Sequence, residues 1–150
     1  MSSYVLPQRQ AHRLLQGGAL LFLLALLTGL VIQRFALPRV GLSAHLVGLL
    51  QGIFLMVVGL LWPKLELSPT ASRVAFFLVL YGSFVSWTVT VLAAAWGAGS
   101  ETLSMAAGQA RGSSIQEGVI AFGLQSAAAA MIAALLLILW GLRRSPHTAD

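Results

Sequence analysis

The sequence predicts an all-α integral membrane protein, a single domain built as a bundle of four transmembrane helices. Two observations support this. Of the 150 residues, 58% are hydrophobic and only 9% are charged, whereas soluble domains carry about 25% charged residues. Four apolar segments are also each near or above the roughly 18 to 20 residues that cross a bilayer as a helix. We place these spans at about residues 14–35, 43–62, 74–96 and 119–142.

The first span follows a basic stretch, Arg9 to Arg13, and resembles a signal peptide in that respect. Its apolar run is longer than the hydrophobic region of a signal peptide, and no small-residue cleavage site follows it. We therefore expect a retained helix.

Turn residues delimit the second and third spans. Pro38 predicts a tight turn before the second span, and Ser43 is the expected N-cap because its hydroxyl can accept a bond from a free backbone N–H. Pro63 ends that span, since proline cannot continue the helical hydrogen-bond ladder. Ser68-Pro69 predicts the turn that leads into the third span.

The longest loop, about residues 97–118, separates the third and fourth spans, and a loop of this length is more often functional than passive. The acidic residues of the chain are all expected in loops or tails, which argues against a proton-coupled exporter, because such coupling usually needs a carboxylate within the membrane. These acidic residues are Glu66, Glu101, Glu117 and Asp150.

Basic residues are distributed unevenly between the two sides of the membrane. Four spans place both termini on one side, which holds six of the nine Lys and Arg residues. By the positive-inside rule we expect a multi-pass protein of a bacterial inner membrane with both termini in the cytoplasm. The net charge of +5 then reflects topology and contact with membrane lipid, and no nucleic acid is expected as a partner. The six residues are Arg9, Arg13, Lys64, Arg73, Arg143 and Arg144.

One histidine, His45, lies inside a predicted span, about three residues from its start. An ionisable residue in lipid is by default a candidate functional residue, although at this depth the ring could also simply reach interfacial water. A lone histidine can hold haem iron from one side, and three copies about a three-fold axis could instead hold zinc. The chain has no cysteine, which excludes thiolate ligands and nucleophiles.

Small and polar residues surround His45 in the sequence. Gly48 and Gly52 belong to a stripe of glycines on one side of the second span, which predicts helix packing or close approach of a flat cofactor or a second subunit. Gln51, Tyr81 and Trp87 are the polar candidates at mid-membrane, each with packing or an interhelical hydrogen bond as the alternative role.

Several stretches resemble the hydroxylaminobenzene mutase family. The likeness is strongest in the histidine-containing run and in the Trp96 run, and it is shared more distantly by styrene oxide isomerase, which has the pattern Ala44-His45 followed by the amide Gln51 and by Gly52. The matching stretches are Pro38–Gly48, Gly59–Lys64, Tyr81–Phe84, Leu92–Gly99, Gln116-Glu117 and Trp140–Arg143.

The resemblance implies a haem b enzyme, a homotrimer, with His45 as the axial iron ligand. It implies redox-neutral isomerisation with ferric haem as a Lewis acid. Independently of the resemblance, Gln51 and Tyr81 are our candidates for orienting the substrate by donating hydrogen bonds, and a site in the membrane favours a small apolar aromatic substrate. The substrate is an aryl hydroxylamine or, alternatively, an epoxide; a non-catalytic haem protein is the third possibility. Val47, Gln51 and Ser86 depart from the family's pattern of Glu, Asn and Asn, which alters the expected pocket but spares the iron ligand.

Overall fold

A computed structural model describes residues 5–143, and within that range the chain is helical and contains no strand. Each of the four long helices is apolar and long enough to cross a membrane. The predicted all-α, four-span architecture is therefore confirmed. The helices are α1 (Val5–Leu30), α2 (Pro38–Leu61), α3 (Pro69–Trp96), the short α4 (Ser104–Ala107) and α5 (Ser114–Arg143).

The helices begin earlier than the apolar segments suggest. α2 begins at Pro38, and proline is well suited to a first helical position because the missing N–H has no intrahelical partner there. The prediction of Ser43 as N-cap is therefore wrong: Ser43 lies inside the helix, and its hydroxyl donates to the Arg39 carbonyl at 3.2 Å. The end of α2 at Leu61, followed by a 3-10 turn over Trp62–Lys64, agrees with the stop predicted from Pro63.

Serine side chains cap the two later helices. Ser68 accepts a hydrogen bond from the backbone N–H of Ala71, which fixes the start of α3 next to Pro69. At the start of α5, Ser113 and Gln116 accept bonds from each other's backbone N–H, a capping box. Glu117 consequently lies in the first turn of α5, where it is buried, so the prediction that places it in a loop is wrong.

Helix α2 lies between α1 and α3, and α5 packs mainly on α3. The contact between α1 and α2 is close because glycines face each other. A Cβ atom added at Gly18 would lie 2.7 Å from the Gly52 carbonyl oxygen, and one added at Gly52 would lie 2.9 Å from the Gly18 oxygen. The glycine stripe of α2 thus packs against α1, which confirms the helix-packing interpretation of this stripe.

Two clusters of buried side chains hold the bundle together. One surrounds Trp62 and Phe76 at the end where α1 and α3 begin. The other surrounds Val40 and Ile120 at the opposite end, where α2 and α5 begin. There the backbone N–H of Leu37 donates to the Ala94 carbonyl at 3.1 Å, so the start of α2 is tied to the end of α3.

Candidate functional site

His45 is the eighth residue of α2, about 10 Å along the helix axis from its first residue at 1.5 Å per residue. It lies further from the start of its helix than the sequence suggests, because α2 begins five residues before the predicted start. Its side chain is half-buried between α1 and α2. Two full turns of helix therefore separate it from the turn before α2.

One hydrogen bond fixes the imidazole of His45. Its Nδ1 lies 2.7 Å from the carbonyl oxygen of Ala25 in α1. A carbonyl can only accept, so Nδ1 carries the proton, and in the neutral ring Nε2 then carries the free lone pair. Gly29 provides the room, since a Cβ atom there would lie 2.8 Å from Nδ1. This is the arrangement by which proteins commonly orient a histidine that binds a metal.

A buried tryptophan N–H lies beside Gly48, which is one helical turn from His45 on α2. The Nε1 atom of Trp87 has no hydrogen-bond partner among the described residues and is shielded from solvent. It lies beside Gly48, where an added Cβ would be 3.0 Å from it and 2.6 Å from the Cβ of Ala25. Gly48 is thus the point where α1, α2 and α3 meet. The sequence identifies Trp87 as a polar candidate, but a donor without an acceptor is visible only in the structure.

The predicted substrate-orienting residues have separate partners. Gln51 accepts a hydrogen bond from the Ser83 hydroxyl at 3.1 Å, which joins α2 to α3. Tyr81 bonds to Ser126 at 2.9 Å, which joins α3 to α5. Among the described residues no hydrogen bond links either side chain to His45. Their roles in catalysis stay predictions.

Gly48 and Gly52, the residues predicted to let a cofactor approach, both contact α1. Gly52 packs against Gly18 and Phe22, and Gly48 packs against Ala25. Along the described chain their visible role is the close packing of helices. Their part in cofactor binding stays a prediction.

Glu117 holds the loop between α3 and α5 in place. Its Oε1 accepts hydrogen bonds from the backbone N–H groups of Gly99 and Gly112, both at 2.9 Å. Its Oε2 and the hydroxyls of Ser100 and Thr102 are buried without a partner in the part of the chain that the structure describes. The carboxylate thereby ties both ends of the loop over residues 97–113 to α5.

The donor set of the described chain suits a metal held by one protein ligand. Within residues 5–143 no three His, Asp or Glu side chains come close enough to form a metal site on their own. His45, with Nδ1 engaged by Ala25, has the donor chemistry of a residue that can hold haem iron from one side. A zinc site would need His45 from several copies of the chain.

Comparison with known proteins finds one matching family and two similar proteins, all named as isomerases or mutases. The sequence model of the family described as styrene oxide isomerase matches residues 10–143. The chain is 49% identical to hydroxylaminobenzene mutase HabB of Ectopseudomonas oleovorans, covering 91% of this chain and 83% of that protein. It is 41% identical to hydroxylaminobenzene mutase HabA of the same organism, covering 87% and 97%. No solved structure matches the chain.

Proposed function

This chain belongs to the styrene oxide isomerase family and is an isomerase, and we propose that it transfers a hydroxyl group within an aryl hydroxylamine to give an aminophenol. The observation that carries this proposal is the 49% identity, over 91% of the chain, to a protein named hydroxylaminobenzene mutase. The resemblance around His45, noted from the sequence, points to the same substrate class.

The proposed reaction is balanced without a co-reactant. The N–O bond of the hydroxylamine breaks, a C–O bond forms at the ortho carbon of the ring, and the hydrogen displaced from that carbon is balanced by one gained at nitrogen. Substrate and product contain the same atoms and electrons. The site therefore needs to polarise one bond and to orient an aromatic ring, and it needs no external electron donor.

We propose ferric haem b as the cofactor, which His45 would hold through Nε2. The bond from Nδ1 to Ala25 supports this, because it holds the ring in the tautomer that leaves Nε2 unprotonated. When bound, the haem supplies a Lewis acid for the substrate oxygen. Gly48 and Gly52 are not part of this proposal, because both are packed against α1.

Gln51 and Tyr81 are the proposed orienting residues. Because the Oε1 of Gln51 accepts from Ser83, its NH2 group retains donors for a substrate oxygen. Ser126 donates to the Gly123 carbonyl, so Tyr81 is the donor to Ser126 and its own oxygen can still accept a hydrogen bond from a substrate amine. Apolar helices around these groups favour aromatic substrates that partition into lipid.

We further propose a homotrimer in the bacterial inner membrane, with both termini cytoplasmic. The family resemblance supports the trimer, and the excess of Lys and Arg on the side of the termini supports the orientation. Mass measurement of the detergent-solubilised protein tests the subunit number.

The proposal is tested by spectrum and turnover of the purified protein supplied with haem. We expect a haem absorption band that is lost in His45→Ala and retained in His12→Ala, a matched control at the other end of the bundle. We also expect conversion of phenylhydroxylamine to 2-aminophenol. Haem retained by folded His45→Ala would reject the ligand assignment.

The family name provides the alternative substrate, an epoxide that is isomerised to an aldehyde. Turnover assays of the same preparation with both substrates distinguish the two proposals. Turnover of styrene oxide without turnover of phenylhydroxylamine would replace the hydroxylamine proposal with the epoxide one.

A further inference from the structure

Three arginines converge at the end of the bundle where α1 and α3 begin. Arg9 and Arg13 are one helical turn apart on α1, and Arg73 lies on α3. All three are exposed, and together with Gln10, Phe76 and Phe77 they line a cavity of about 250 Å³. Two helices thus direct guanidinium groups to one recess.

These charges have no anionic partner among the described residues. The only ion pair found between residues 5 and 143, Arg111 with Glu101, lies at the opposite end of the bundle. Like charges one helical turn apart, such as Arg9 and Arg13, destabilise a helix by a few tenths of a kcal/mol. A bound anion would relieve this repulsion.

The helices themselves add to the positive potential. α1 and α3 both begin at this end, and neither has an acidic residue in its first turn. The N-terminal end of a helix carries a partial positive charge and is a favourable place for a phosphate. Arg9 and Arg73 are each the fifth residue of their helix. The positive charge of their side chains therefore lies close to the partial positive charge of the helix ends.

The recess also has an apolar floor. Phe77 is 66% exposed below the arginines, and Phe76 packs edge-on against it with ring centroids 5.4 Å apart. A ligand that combines a negatively charged group with a hydrocarbon chain matches this cavity, in which arginines lie beside an exposed aromatic ring. At the boundary of a membrane, a lipid has that composition.

We propose that Arg9, Arg13 and Arg73 form a binding site for the headgroup of an anionic phospholipid, with an acyl chain lying against Phe77. Guanidinium groups bind phosphate oxygens in pairs, which gives both strength and geometry. If these residues served only to orient the protein by the positive-inside rule, lysine would serve as well as arginine. The site requires arginine in these three positions, and this difference can be tested.

The experiment measures lipid retention by native mass spectrometry and thermal stability in micelles containing phosphatidylglycerol or phosphatidylcholine. Wild-type protein should retain phosphatidylglycerol and be stabilised by it more than by phosphatidylcholine. The triple variant Arg9→Lys/Arg13→Lys/Arg73→Lys keeps the charge and the topology, and should bind phosphatidylglycerol roughly tenfold more weakly, because paired hydrogen bonds are lost.

Two controls make the result decisive. Arg34→Lys/Arg39→Lys/Arg111→Lys changes three arginines at the other end, and it should bind phosphatidylglycerol like the wild type. Inorganic phosphate at the same phosphate concentration should not stabilise the protein. The lipid site would be overturned if phosphatidylglycerol and phosphatidylcholine stabilised the protein equally, or if both triple variants bound phosphatidylglycerol equally. It would also be overturned if inorganic phosphate stabilised the protein as much as phosphatidylglycerol does.

Discussion

The orientation of His45 depends on a residue that has no side chain. Gly29 lies one turn beyond Ala25 on α1, and the space it leaves lets the imidazole reach the Ala25 carbonyl. Since the tautomer of His45 follows from that bond, the availability of Nε2 is set by the packing of α1 against α2. The sequence identifies His45 but offers no sign that Gly29 serves it.

Gly29→Ala should therefore disturb His45 without altering any polar group. The added Cβ would lie 2.8 Å from Nδ1, so the ring must turn and the bond to Ala25 is lost. We expect isomerase activity to fall by roughly 10- to 100-fold, the usual effect of removing a group that orients a metal ligand. Gly118→Ala, in α5 with nothing within 4 Å of the new Cβ, is the matched control. Equal activity in the two variants would show that the bond to Ala25 is dispensable.

Side chains next to the helix ends determine where each helix begins and ends. Ser68 before Pro69 and Pro63 after α2 were predictable, because capping and proline act locally. The start of α2 is not predictable in this way, since Ser43 has the right chemistry for a cap, but Pro38 begins the helix five residues earlier. The sequence misplaces Glu117 for a related reason: its charge suggests a loop position, whereas in the structure Gly99 and Gly112 donate to its carboxylate and hold it buried.

Glu117→Gln tests the connection between α5 and the loop over residues 97–113. The variant keeps the size of the side chain but removes the charge that strengthens two backbone hydrogen bonds. We expect a loss of about 1–3 kcal/mol in the free energy of unfolding. Amide hydrogens of Gly99 and Gly112 should also exchange faster.

Glu101→Gln is the control for that measurement. Glu101 is 53% exposed and pairs with an exposed Arg111, so its loss should cost at most about 1 kcal/mol. Equal losses for Glu101→Gln and Glu117→Gln would mean that the buried bonds do not stabilise the loop.

At the scale of the whole molecule, composition was enough to predict the four-helix bundle, but it could not place the site residues relative to one another. His45 contacts α1, Gln51 contacts α3, and Tyr81 joins α3 to α5, because each side chain points where its position on the helix directs it. Those directions depend on which helices are neighbours. The order of packing, with α2 between α1 and α3, is a tertiary property that apolar segments of similar composition do not reveal.

The same four-helix arrangement predicts the orientation of the molecule. An even number of spans puts both termini on one side, and that side carries six Lys and Arg residues against three on the other. By the positive-inside rule, green fluorescent protein fused to the C-terminus should fluoresce in the cytoplasm. Alkaline phosphatase fused after Gly108, in the loop at the opposite end, should be active outside it. The reverse pattern would place the arginine-rich end outside, and Arg9, Arg13 and Arg73 would then face the lipids of the outer leaflet.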